Sequence, residues 1–175
     1  MDVRLATVDD AAACAAIYAP YVTSTCISFE SVPPTVDEMA GRIACALVAH
    51  AWLVALDPAG TVVGYAYGGP FAGREAYRWS CEVSVYVRQG VRRTGTGRAL
   101  YDALLESLAG RGYRRVFAGI ALPNEASEAL HRALGFTPAA VYRRVGWKQG
   151  RWHDVAWLQR SLGPGPEDAP PAPLA

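Results

Sequence analysis

One stretch constrains the fold more than any other: Ser84-Val85-Tyr86-Val87-Arg88-Gln89-Gly90-Val91-Arg92-Arg93-Thr94-Gly95-Thr96-Gly97-Arg98-Ala99-Leu100. It begins as a β-rich run, turns through glycines and arginines, and ends in a helix whose apolar stripe is Leu100, Leu104, Leu105 and Leu108. Strand, loop and helix N-terminus in that order make an anion site. Glycines let the backbone approach closely, the first helical N–H groups lack partners, and the helix dipole favours negative charge. Arg92, Arg93 and Arg98 add fixed positive charge to the same corner. The expected occupant is a pyrophosphate.

Spacing narrows the choice. A mononucleotide P-loop needs a lysine after its second glycine, and none follows here. The dinucleotide fingerprint needs a third glycine where Leu100 stands. Both are excluded. What remains is Arg92-x-x-Gly95-x-Gly97.

Composition sets the frame around this loop. A chain of 175 residues, 51% apolar, suffices for one domain with a sizeable core. A net charge of +1 argues against general binding to nucleic acid or membrane surfaces, so the arginines are a local device. No apolar run approaches a membrane span, and Met1-Asp2-Val3-Arg4 has no signal-peptide pattern. Cys14, Cys26, Cys45 and Cys81 lack metal-ligand spacing, so reduced thiols and no metal are expected. The expectation is a soluble cytoplasmic protein.

Taken in order, residues 3–6 read as a first strand, and Thr7 to Asp10 cap an alanine-rich helix that Pro20 should kink or end. A loop containing Phe29 and Glu30 leads to Pro33-Pro34. Thr35-Val36-Asp37-Glu38 has capping-box form and opens a second helix. Residues 52–56 and 61–67 form an antiparallel hairpin about the turn Asp57-Pro58-Ala59-Gly60, and Gly68-Gly69-Pro70 breaks the pattern. Residues 77–87 make the strand that feeds the anion loop. After the central helix come a buried strand over 116–122, a helix from Pro123-Asn124 to Gly135, and two strands over 141–147 and 152–162. The domain spans 1–162, and the proline-rich residues 163–175 are expected to be a disordered tail. The fold class is α/β, with a mixed, mostly antiparallel central sheet flanked by helices.

A second motif is Asn124-Glu125-Ala126-Ser127-Glu128-Ala129-Leu130-His131-Arg132-Ala133-Leu134-Gly135-Phe136. Together with the arginine-glycine loop it resembles the paired landmarks of the GNAT superfamily of N-acetyltransferases. The resemblance implies the GNAT fold and acetyl-CoA as co-substrate. The pyrophosphate would lie on Arg92, Arg93, Thr94, Gly95, Thr96, Gly97 and Arg98, the pantetheine arm along Val85, Tyr86 and Val87, and Asn124 would also bind the cofactor. Many members carry a tyrosine as general acid where this chain has His131, and histidine can do the same work near neutral pH. The alternative is a histidine that only hydrogen-bonds inside a core.

Acetyl transfer to an amine also needs a base, because a protonated amine cannot attack a thioester. Glu82, amid Trp79-Ser80-Cys81-Glu82-Val83-Ser84, is the candidate; the alternative is that Ser80, Glu82 and Ser84 form the solvent face of an alternating strand, and the base is favoured because the strand ends at the phosphate site. Ile17-Tyr18, Ser28-Phe29-Glu30, Arg74, Tyr77, Trp79, Leu122-Pro123-Asn124, Val145-Gly146, Lys148 and Trp152-His153-Asp154 further resemble the phosphinothricin N-acetyltransferase subgroup. That likeness implies direct acetylation, in a ternary complex, of the α-amino group of phosphinothricin or methionine sulfoximine or sulfone, by an enzyme that is a homodimer. Arg74 would clamp the substrate carboxylate, with Phe29, Glu30, Tyr77 and Trp79 as the remaining walls. Rivals are acetylation of a polyamine, aminoglycoside or peptide N-terminus, and a non-catalytic acyl-CoA sensor. His153-Asp154 is read as structural, since adjacent strand residues point to opposite faces.

Overall fold

The computed structural model describes residues 1–91 and 94–163. Arg92, Arg93 and the tail from residue 164 onward lie outside them. Seven strands form one sheet in the order β1-β2-β3-β4-β5-β7-β6. They are β1 (Asp2–Leu5), β2 (Trp52–Leu56), β3 (Val62–Pro70), β4 (Ser80–Val87), β5 (Arg115–Ala121), β6 (Thr137–Lys148) and β7 (Arg151–Ser161). Every pairing is antiparallel except β4 with β5. Among the described residues four α-helices cover the sheet: α1 (Ala11–Ser24), α2 (Val36–Ala49), α3 (Thr96–Gly110) and α4 (Glu125–Ala133).

Alternation along β2 shows how the sheet is buried on both sides. Leu53 and Ala55 pack with Leu100, Leu104 and Leu108 of α3, while Trp52 and Val54 pack with Ile17, Tyr18, Val22, Met39 and Ile43 of α1 and α2. A strand covered on both faces must be apolar throughout, which is why Trp52-Leu53-Val54-Ala55-Leu56 is a continuous apolar run. The capping box at α2 is present, with Glu38 N–H bonded to Thr35 Oγ1 at 3.2 Å and Thr35 N–H to Glu38 Oε2 at 2.7 Å.

Three sequence expectations are narrowed or corrected. Of the kink or end expected at Pro20, the end does not occur, since α1 runs four residues further to Ser24. Tyr18 and Val22 flank the proline and are both buried, so tertiary packing carries the helix across the missing N–H. Gly68-Gly69-Pro70 does not break β3 either. All three residues pair with β4, and a side chain at Gly68 would sit 3.1 Å from Leu108, so glycine lets α3 lie close to the sheet. Finally, β4 starts at Ser80 rather than Tyr77, because Glu75–Tyr77 forms one 3₁₀ turn.

The parallel pair is where the sheet comes apart. β4 and β5 are joined only through Ser80, Cys81 and Glu82 against Arg115, Val116 and Phe117. Beyond Glu82 the two strands part, and the sheet opens into a gap.

Candidate active site

The gap is lined by backbone. Arg88 N–H bonds to Val63 O at 2.8 Å across the β3–β4 ladder. In an antiparallel ladder the bonding direction alternates, so Val83, Val85 and Val87 turn their N–H and C=O toward the side where β5 has departed. The carbonyl of Val87 is already taken by the Tyr21 hydroxyl at 2.5 Å. The N–H of Val83 is used in the parallel pair of Glu82 with Phe117, so the Val83 carbonyl and the groups of Val85 are what face the opening.

At the end of β4 the chain turns through Gly90 (φ 91°) and enters α3 over Gly95 (φ 78°). Gly95 is the N-cap and supplies no side chain, and Ala99 N–H is bonded to its carbonyl at 2.9 Å. The N–H groups of the helix's first turn therefore point outward with no side-chain cap, the arrangement that suits an anion. A Cβ on Gly95 would meet no protein atom within 4 Å, so the constraint there is the left-handed backbone. Gly97 serves differently. Its missing side chain admits Leu130 of α4, whose Cδ2 would lie 3.2 Å from a Cβ. Thr94 and Thr96 share a hydroxyl hydrogen bond of 2.7 Å, and Thr96 is buried. Arg98 is exposed and 3.6 Å from Asp102.

A narrow cavity of about 50 Å³ occupies the gap, walled by Val83 to Tyr86, Ala118 to Ala121, Tyr101, Asn124, Ser127 and His131. Asn124 caps α4, its Oδ1 accepting from Ser127 N–H at 3.2 Å, which leaves its amide NH₂ for another partner. His131 is buried. Its Nδ1 lies 2.7 Å from Ser127 O, and a carbonyl can only accept, so Nδ1 carries the proton. Neutral His131 must then accept at Nε2, and Tyr101 Oη, 2.9 Å away, donates to it. Burial holds the imidazole below its ordinary pKa and the Tyr101 phenol above its own. Neutral His131 thus has no proton on the nitrogen that faces Tyr101. The sequence alone does not single out Tyr101, because nothing local marks a helical tyrosine thirty residues away as the partner of His131.

A wider cavity of about 510 Å³ adjoins the narrow one. The two share Ile27, Ser84, Tyr86, Gly119 and Ala121 as walls. The wide cavity holds two carboxylates with opposite environments. Glu82 sits opposite Gly69 on β3, and burial raises its carboxyl above the ordinary 4.5. Glu30 is held below that value by Arg42, which grips it bidentately at 2.7 and 2.9 Å, and by the Tyr18 hydroxyl at 2.9 Å. Phe29 lines the same wall as Glu30. Tyr142 and Val145 of β6 and Trp157 of β7 close the other side.

The expected carboxylate clamp is not in this cavity. Arg74 is exposed beside the 3₁₀ turn, and neither it nor Tyr77 nor Trp79 is among the lining residues. Tyr77 packs edge-on against Phe71, Arg78 lies over the Trp79 ring at 4.4 Å, and the Trp79 carbonyl accepts from Arg114 and Arg115 N–H. The physical reason is the shortened β4: these residues precede the strand, so its alternation does not carry them to the cavity. Among the described lining residues there is no lysine or arginine. His153 and Asp154 are structural, the former bonded to Lys148 O at 3.0 Å and the latter paired with Arg143 at 2.7 Å. No group of three or more His, Cys, Asp or Glu among the described residues could hold a metal.

Known proteins share this architecture. The family model "Acetyltransferase (GNAT) domain" matches residues 3–157. The chain is 38% identical to a phosphinothricin N-acetyltransferase of Streptomyces viridochromogenes, over 99% of this chain and 93% of that protein. It is 37% identical to an L-methionine sulfoximine/L-methionine sulfone acetyltransferase of Pseudomonas paraeruginosa, over 93% of this chain and 95% of the other. The crystal structure of a GNAT superfamily phosphinothricin acetyltransferase from Sinorhizobium meliloti, in complex with AcCoA, superposes with a TM-score of 0.93 at 37% identity, covering 98% of this chain and 92% of that one.

Proposed function

The chain belongs to the GNAT acetyltransferase family, and from that premise we propose that it transfers the acetyl group of acetyl-CoA directly to the α-amino group of a small glutamate-like amino acid, such as phosphinothricin, methionine sulfoximine or methionine sulfone. The observation that carries direct transfer is the shared wall of the two cavities. A thioester in the narrow one and an amine in the wide one would meet with no covalent enzyme intermediate. Cys14 and Cys81 line neither cavity, and burial pushes both thiols up to about 12, which argues against an acyl-cysteine route.

The residues then take roles. The open first turn of α3, with Thr94, Gly95, Thr96, Gly97 and Arg98, would receive the pyrophosphate, and Arg92 and Arg93 would complete its charge balance. The backbone of Val85 and the carbonyl of Val83 would hold the pantetheine arm, and the Val85 N–H would face the thioester oxygen as negative charge develops on it. Glu82, raised by burial toward working pH, would take the amine's proton. A proton for the departing thiolate would come from Tyr101 Oη, its hydroxyl turning from the neutral His131 Nε2 to the sulfur, and the tyrosinate would be reprotonated by solvent as coenzyme A leaves, so His131 acts by holding the tyrosine.

A second reading is favoured by one observation. Glu30 and Glu82 line the wide cavity with no lysine or arginine on the lining, which suits an amine without a carboxylate. Release of free coenzyme A, measured with phosphinothricin, methionine sulfoximine and spermidine, separates the two readings. Preference for the amino acids supports the first, preference for spermidine the second, and no release with any amine points to a sensor.

A homodimer is part of the same proposal. The edge strand β6 presents Val141, Tyr142, Val145 and Trp147 to solvent, with Trp152 of β7 packed edge-on against Trp147. Sedimentation of wild type and Trp147→Ser tests it, with dissociation expected in the variant.

A further inference from the structure

The segment between α1 and α2 contains neither helix nor strand, yet it gives Ile27, Ser28, Phe29 and Glu30 to the wide cavity. Its backbone is held from the far end of the chain. Lys148, the last residue of β6, donates from Nζ to the carbonyls of Val22 at 2.6 Å, Ser28 at 2.6 Å and Glu30 at 2.9 Å. An ammonium has three N–H donors, so these bonds use its whole capacity. One acceptor lies in the last turn of α1 and two lie in the segment, so one cation ties helix end, segment and sheet together.

The same strand seats the aromatic ring. Gly146 stands two residues before Lys148, on the same face of β6. The Phe29 ring fills the space its side chain would take: a Cβ there would lie 2.2 Å from Phe29 Cε2. His153, opposite Gly146 on β7, has its ring centroid 6.1 Å from that of Phe29.

We infer that Lys148 is a positioning residue for the acceptor amine, fixing Phe29 and Glu30 at the cavity wall through their backbone. The inference rests on the proposal that the wide cavity holds the acceptor. Lys148 does not line that cavity and its donors are spent, so it acts through the segment. Arginine is a poor replacement, since a planar fork cannot address three carbonyls that converge on one point.

Two variants test this in the full chain. Lys148→Met keeps the stem and removes the donors, while Gly146→Ala displaces Phe29 without touching a charge. For both, the acceptor KM is expected to rise about tenfold or more, with the acetyl-CoA KM within about twofold of wild type, because misplacing a positioning wall penalises only the substrate that it orients. Amide hydrogen exchange over residues 26–31 should quicken in both variants while that of α3 stays unchanged. An unchanged acceptor KM in folded Lys148→Met overturns the inference, as does an equal rise in both KM values. So does unchanged exchange in the segment, and this readout needs no turnover. If the wild type acetylates no amine, the cavity assignment fails, while exchange still decides whether Lys148 holds the segment.

Discussion

The two cavities are built by opposite means. Around the narrow one and the helix end beside it most contacts are local and involve backbone: Gly95 to Ala99, Asn124 to Ser127, and Ser127 to His131, none more than four residues apart, with Tyr101 to His131 as the longer-range exception. Around the wide one they are side-chain contacts across the chain, with Lys148 reaching carbonyls 118 to 126 residues away. The difference arises from what each would hold. A pyrophosphate and an amide-bearing arm can be recognised by backbone N–H and C=O groups, which any sequence with the right glycines supplies. An acceptor must be selected by shape and charge, and those need side chains brought together by folding.

The sharpest break of this comparison would be at Glu82, on the wall of the wide cavity beside the shared residue Ser84. Glu82→Gln should lower turnover by ~100- to 10,000-fold while leaving the acetyl-CoA-induced rise in thermal midpoint intact. The carboxylate must be unprotonated to act, and burial raises its pKa above 4.5, so activity should fall with acid through a midpoint above 4.5. Glu30, held below 4.5 by Arg42, stays charged through that fall. A pH–rate profile with its acid limb below 4.5 would move the base elsewhere.

Tyr101→Phe probes the narrow side. It leaves the buried Nε2 of His131 without its donor, which should cost about 1–3 kcal/mol of stability in denaturant titration. Turnover should fall too, with the acceptor KM unmoved. A fully stable and active variant would remove the tyrosine from the proton path.

Gly95→Val tests whether the anion corner depends on backbone. A β-branched residue at φ 78° carries strain of about 1–2 kcal/mol, and its side chain projects where the anion would lie. Acetyl-CoA should no longer raise the thermal midpoint. A full shift would mean that side chains and not backbone hold the pyrophosphate.

The smallest effect belongs to Arg42→Met. Both partners of the Arg42–Glu30 pair are more than a third exposed, so solvent screening limits the stability loss to at most about 1 kcal/mol. Glu30's lowered pKa means that this contribution is present at neutral pH and is lost as pH falls through the lowered value. Urea titrations of both proteins should therefore differ at pH 7, and the difference should shrink as the pH is taken progressively below 4.5. The acceptor KM should shift more than that for acetyl-CoA, which is the comparison at its mildest.

What the sequence determined by itself is the local build of the proposed cofactor side and the frame. The glycine at the N-cap of α3, the N-cap Asn124, the alternation that buries both faces of β2 and the capping box at Thr35 are dictated by residues within a few positions of one another, so the local order of side chains carries them. Glu82 was legible as a charge stranded in an apolar strand. Tertiary structure alone decided the proposed acceptor side. It carried α1 past Pro20 because Tyr18 and Val22 are buried, and kept Arg74 and Tyr77 off the cavity lining by starting β4 at Ser80; on the narrow side it made Tyr101 the partner of His131. It also gave Lys148 its three carbonyls, although the residue's place in the family pattern was visible. Hydrogen bonds between residues more than a hundred positions apart leave no spacing to read, because their geometry exists only once helix, segment and hairpin have packed.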